Sequence, residues 1–318
     1  KVYLDEIPLN EKEITLNSQV IEVNGVRLDS FKSECELKSY LKTCWMSDKT
    51  RLKVLLDNSR IIEIGIAKYV ADKDPTKTYD LYTGISAGAL NSGFLSYYKD
   101  LNTGIRFAEK LYGEMHNRMV FELLPTTGVS VLNTEPLKKT LSTIIDKMPN
   151  EPVVKTLIGA TNLYSGNLDV YEFNQNDNTN KVLLLLSSSA IPGIFPPIEY
   201  NGYLYADGGT VSNELLQVEH GGYLNITYIT PYEGFKYDNS PITSLKDMLI
   251  RTFEVATGNF NNPLATMNQN SAKPIGEINK YFVDAKFLSG YSSMNFDYGT
   301  ELIEIGYKYA TKKTYKIC

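Results

Sequence analysis

The stretch DLYTGISAGALNSG, Asp80 to Gly93, places a serine between two glycines, one two residues before it and one two residues after. Gly84-Ile85-Ser86-Ala87-Gly88 fits G-x-S-x-G, the pattern of a serine on a sharp strand-to-helix turn. Such a turn holds the serine in a strained backbone conformation. Strand and helix converge there, so the flanking residues must be tiny. The following helix aims its unpaired N–H groups and the positive end of its dipole at the serine oxygen. That is where the oxyanion of an attacked ester would be held. The flanks suit this reading, since an apolar segment (YDLYT) precedes the motif and a helix-forming one (AGALNSGFL) follows it.

Around this centre the chain alternates. Residues 51–57 (RLKVLLD) read as a buried strand and 61–73 (IIEIGIAKYVADK) as a helix. Residues 79–86 read as a strand, and 87–101 as a helix. Strand–helix–strand–helix order predicts an α/β fold with a mainly parallel sheet covered by helices. VVKTLIGATNL and LDVYEF supply further strands, followed by the apolar stretches KVLLLLSSSAIPGIFPPI and GYLYADGG. Residues 240–257 and 295–313 look helical, and the asparagine-rich stretches 174–180 and 259–270 look like exposed loops. Before residue 51 the pattern differs. Asn24-Gly25 signals a small hairpin, and 31–46 has helical spacing. The expected division is therefore an N-terminal extension over 1–50 and a catalytic domain over 51–318.

A serine nucleophile needs a base. Only two histidines exist, His116 and His220. The chain order Ser86, Asp207, His220 matches a Ser-His-Asp esterase of the α/β-hydrolase type. The other option is a carboxylate. Asp207 lies in YADGGT, at the end of an apparent strand, and Gly208 and Gly209 let backbone pass close to a neighbouring site.

Composition narrows the alternatives. The 318 residues carry 32 basic and 37 acidic side chains, net −5, a poor balance for binding a nucleic-acid backbone. Lys308 to Lys316 reads as a solvated helix end. Three cysteines and two histidines show no metal-ligand spacing, and neither metal nor cofactor is implied. No apolar run approaches the roughly 20 residues of a membrane-spanning helix.

Taken together, TGISAGALN and SSSAIPGIFPPIEYNGYLYADGGTVSN (187–213) resemble the patatin-like phospholipases. The likeness covers roughly residues 52–310, with serine and aspartate in the family's order. It implies a three-layer α/β/α fold and a Ser-Asp dyad without histidine, Ser86 as nucleophile and Asp207 as base. Gly84, Gly88, Gly208 and Gly209 would be the motif glycines. The reaction implied is hydrolysis of an acyl ester of phospholipid, lysophospholipid or neutral lipid, by a cytoplasmic or peripheral membrane protein, with secretion left open. One departure matters. The family's glycine-rich oxyanion loop after the first strand corresponds here to Asp57-Asn58-Ser59-Arg60, without the glycines and two or three residues shorter. Three explanations stand: residues of the native loop are absent from this sequence; amides of Asn58, Ser59, Arg60 and Ala87 form a weaker oxyanion hole; or the chain is a catalytically impaired relative that binds lipid. Ile194, Phe195 and Pro196, kept in a loop by prolines, are the candidates for the acyl pocket.

Overall fold

The computed structural model describes residues 22–23, 26–27, 52–56, 61–123, 128–148, 151–212, 215, 225–232, 242, 244–258, 276–288, 291 and 296–317. Strands β1 (Glu22–Val23) and β2 (Val26–Arg27) pair antiparallel on either side of Asn24-Gly25, the hairpin the turn residues predict. The helix expected over 31–46 lies outside the described residues.

The main body begins with β3 (Leu52–Leu56), α1 (Ile62–Lys73), β4 (Leu81–Ile85) and α2 (Ala87–Leu95). Helix α2 stops at Leu95, short of the expected 101. A new helix, α3 (Leu101–Glu114), starts where the Asp100 side chain accepts the amides of Asn102 and Thr103, a typical N-cap. Then come β5 (Glu122–Leu123), β6 (Leu132–Asn133), α4 (Glu135–Asp146), β7 (Lys155–Asn162), β8 (Leu168–Glu172) and α5 (Asn178–Ser188). The chain continues through β9 (Ile198–Tyr200), β10 (Tyr203–Asp207), β11 (Asn225–Tyr232), α6 (Leu245–Gly258), β12 (Gly276–Val283), α7 (Gly299–Tyr309) and β13 (Thr311–Ile317).

The central sheet runs β13-β12-β11-β3-β4-β7-β10-β9, with β8 also paired to β7. Its five middle strands, β12-β11-β3-β4-β7, are parallel. The strands outside them join antiparallel. The α/β architecture with a mainly parallel centre is therefore as the alternating pattern predicts. One face of the sheet carries the large core, in which Tyr82, Ile158, Ala160, Tyr205 and Ile229 pack against apolar side chains of α1 to α5 and α7. The other face presents Leu81, Ile85, Leu157, Tyr228 and Ile278, met by Leu215.

Strand β7 sets the geometry of the site. Its residues 155–159 pair with β4, ending on Ile85 opposite Gly159. Its next residue, Ala160, pairs with Asp207, and β10 then runs back along residues 161 and 162. Strand β8 pairs with residues 157–161, which fixes it on the opposite edge. So β4 and β10 lie end to end along one edge of β7, and their carboxyl ends meet.

Two further segments differ from the sequence reading. Residues 178–188, which read partly as loop and partly as an apolar stretch like the strands before it, form helix α5. Asp177 caps it by accepting the Asn180 amide, and leucines, which carry no branch at Cβ, favour helix. A short apolar run does not distinguish the two states by periodicity. At the other end, helix stops at Tyr309 and residues 311–317 pair with β12, Ile278 opposite Tyr315 and Lys280 opposite Lys313. Threonine and tyrosine suit a strand, and β12 offers them an edge. The lysine run is thus mostly edge strand rather than helix end.

Burial along α5 gives a test. Leu185 is wholly enclosed while Leu183 is only partly buried, a difference a strand with both on one face would not produce. Leu185→Ala should cost about 2–5 kcal/mol and Leu183→Ala clearly less, read from denaturant unfolding of the two variants.

Candidate active site

Ser86 is the residue between β4 and α2. Its backbone sits at φ 59°, ψ −128°, a positive-φ conformation that costs a non-glycine residue about 1–3 kcal/mol. The strain is held in place by packing. A Cβ on Gly84 would lie 2.1 Å from the Gly88 carbonyl oxygen, so only glycine at 84 lets α2 fold back this tightly on β4. The Ser86 N–H donates to Ser188 Oγ at 2.9 Å, and Ser188 Oγ donates to the Gly159 carbonyl at 2.6 Å. The Ser86 carbonyl accepts the Ala89 amide at 3.0 Å, which opens α2. The amides of Ala87 and Gly88 precede any intrahelical acceptor and sit at the positive end of the helix dipole.

Asp207 ends β10, and its position follows from the β7 register. Its N–H donates to the Ala190 carbonyl at 2.8 Å, and its carbonyl accepts from Thr161 Oγ1 at 2.9 Å. Its Oδ1 accepts the Gly209 N–H at 2.8 Å. Its Oδ2 accepts from Ser86 Oγ at 2.6 Å. A Cβ on Gly208 would come within 2.7 Å of the Gly159 carbonyl, so the turn after Asp207 is pressed against the strand that aligns both residues. Ser86 is 2% exposed and Asp207 fully buried.

An apolar cavity of about 40 Å³ opens from Ser86 and Ala87, lined by Leu90, Phe94, Met115, Leu141, Ile191 and Phe195 among others. That is room for roughly three water-sized groups, so a longer chain enters only as the lining side chains move. Tyr112 also lines it. Its hydroxyl donates to Asn91 Oδ1 at 2.6 Å, and Asn91 Nδ2 donates to the buried Glu63 Oε2 at 2.9 Å. Burial, with the Glu63 charge behind it, pushes the Tyr112 phenol well above its usual range, so Tyr112 stays a neutral donor.

Of the candidate residues, the structure brings Ser86, Asp207, Ala87 and the motif glycines together. Phe195 lines the cavity. Ile194 does not, and packs instead on Leu132 and Ile191. Pro196 is not among the lining residues. Asn58, Ser59, Arg60 and His220 lie outside the described residues. His116 is half exposed, 3.3 Å from Asp297, and does not line the cavity. Sequence reasoning missed Ser188, Thr161 and Ile191. The serine run 187–189 was visible, but nothing in it singled out the residue that faces the Ser86 amide.

A family profile described as patatin-like phospholipase matches residues 60–218, half of the chain. The chain belongs to the patatin-like phospholipase family. Lipid acyl hydrolysis is the general activity of that family. Among solved structures the fold is similar to that of VipD from Legionella pneumophila, at 11% identity and a TM-score of 0.41, over 84% of this chain and 68% of that one. No curated protein matches the sequence. Among the described residues no helix is long and apolar enough to cross a membrane.

Within this patatin-like site Ser188 has a distinct role, because its hydroxyl accepts the Ser86 amide. Ser188→Ala leaves a buried N–H unsatisfied at a cost of about 1–3 kcal/mol. Part of that cost should loosen the turn, slowing covalent labelling of Ser86 by a fluorophosphonate about tenfold. Labelling kinetics on the folded variant measure this directly.

Proposed function

We propose that this chain is a serine acyl-ester hydrolase of the phospholipase A or lysophospholipase type, working through a Ser86-Asp207 dyad. The observation that carries the reading is the 2.6 Å hydrogen bond from Ser86 Oγ to Asp207 Oδ2. Asp207 is oriented to act as the base, since Gly209 occupies Oδ1 and leaves Oδ2 for the serine proton. Ser86 Oγ attacks the acyl carbonyl carbon as its proton passes to Asp207 Oδ2. The carbonyl oxygen becomes an oxyanion facing the amides of Ala87 and Gly88 at the start of α2. Collapse breaks the ester C–O bond, and the leaving alcohol takes the proton from Asp207. Water, deprotonated by Asp207, then attacks the acyl-enzyme. Its proton returns to Ser86 as the fatty acid leaves.

His116 stands beside Asp297 and away from the cavity, and the Ser86 hydroxyl meets a carboxylate directly, which supports Asp207 as the base. Fluorophosphonate labelling read by intact mass tests the assignment. The unsubstituted chain should gain one label, Ser86→Ala none, and Asp207→Asn a hundredfold less or lower, while His220→Ala labels normally. Loss of label in His220→Ala would replace the dyad with a triad. An unlabelled parent chain would point to a lipid-binding relative whose oxyanion hole is impaired.

The acyl chain is assigned to the apolar cavity beside Ser86. Phe195→Ala removes one wall of it and should shift the preferred acyl length upward by several carbons in a series of p-nitrophenyl esters. An unchanged preference rules out that wall as the determinant.

A further inference from the structure

The end of the sheet that carries Ser86 and Asp207 is bordered by large apolar and aromatic side chains left in solvent. Leu163 and Tyr164 directly follow β7, the strand that aligns the dyad, and are 46% and 66% exposed. Tyr203 opens β10, four residues before Asp207, is 48% exposed, and its ring packs edge-on against Tyr164. This exposure is built in. Asn201 and Gly202, both at positive φ, turn β9 into β10. The Leu163 amide donates to the Leu204 carbonyl at 2.9 Å, locking the two turns together.

Helix α6 borders the site on another side. Leu249, Ile250 and Phe253 pack on the cluster containing Ile191, Ile194 and Phe195, two of which line the Ser86 cavity. A surface helix is ordinarily polar on its outer side. Here Leu245 and Met248, one turn apart on a common face, are 67% and 51% exposed.

We infer that this rim is a docking face for a phospholipid bilayer surface. The inference rests on reading the chain as a lipid hydrolase. Tyrosine suits the occupant, with an apolar body and a polar tip matched to the headgroup boundary. The leucines and methionine supply the apolar area that interfacial binding requires. Location adds to this, since α6 packs on Ile191 and Phe195, which line the cavity beside Ser86. The exposed apolar residues carry no charge, and the partly exposed Lys246 and Asp247 between Leu245 and Met248 are of opposite sign, so the lipid favoured is zwitterionic.

The test is flotation of the full chain with phosphatidylcholine vesicles, carried on Ser86→Ala so that lipid is not consumed. The parent should float. Leu245→Ser/Met248→Ser and Tyr164→Ser/Tyr203→Ser should each lower the partition coefficient about tenfold or more. Binding should be insensitive to salt between about 0.1 and 0.5 M, because apolar contacts are not screened. Circular dichroism checks folding, and Tyr164→Trp provides a second reading through a blue shift of its emission on adding vesicles. The proposal is overturned by a parent that stays with the buffer, or by variants that float as well as the parent. Binding confined to anionic vesicles and stripped by salt would overturn it in favour of the lysines of β13. A dimer that the substitutions dissociate would overturn it in favour of a second copy. Flotation needs no turnover, so its failure is distinct from failure of the labelling experiment.

Discussion

Strand β7 offers one edge to two strands that run in opposite directions. Everything at the site depends on that shared edge. Strand β4 uses it as far as Gly159 and β10 takes it over at Ala160, so residues 121 positions apart in sequence are brought within hydrogen-bond distance. Backbone pairing, which is insensitive to side-chain identity, thereby fixes the alignment of Ser86 and Asp207, the proposed nucleophile and base. The same strand also anchors the second layer of support: the Gly159 carbonyl takes the Ser188 hydroxyl that holds the Ser86 amide, and Thr161 takes the Asp207 carbonyl. Displacing β7 by one residue would disturb all four contacts together.

Concentrating support in this way allows strain to be stored where it is useful. Ser86 stays in an unfavourable backbone region because strand, helix and the Ser188 contact leave it no alternative. The result points the hydroxyl at Asp207, and in the proposed reaction the first amides of α2 face the developing negative charge. The buried Glu63-Asn91-Tyr112 chain gives the cavity wall comparable definition, tying α1, α2 and α3 through side-chain hydrogen bonds.

Much of this was legible in the sequence, and unevenly so. The elbow was readable because its requirements are local: glycine where backbones touch, an apolar run before, a helix after. Asp207 was readable only as half of a pair, since a lone Asp-Gly-Gly turn is common; Gly208 and the β7 register supply what sequence could not. Helix α5 was obscured because its leucines are buried nearly all round, which erases the helical period. Strand β13 was obscured because an edge strand depends on the partner beside it more than on its own residues. Ser188 and Ile191 remained hidden among equivalent neighbours, because what distinguishes them is the direction they face.

The described sheet ends in contrasting ways. On one side the outer strands are β8 and β9, five and three residues long. On the other, β13 is longer but carries exposed Lys312 and Lys313. A sheet edge is a template on which a stray strand of another molecule can add itself, and brevity and positive charge are two of the usual deterrents. The lysine run that reads in sequence as a helix end is therefore of the kind that discourages fibre-like association at an edge, and neutralising it should be felt in solubility before it is felt in catalysis.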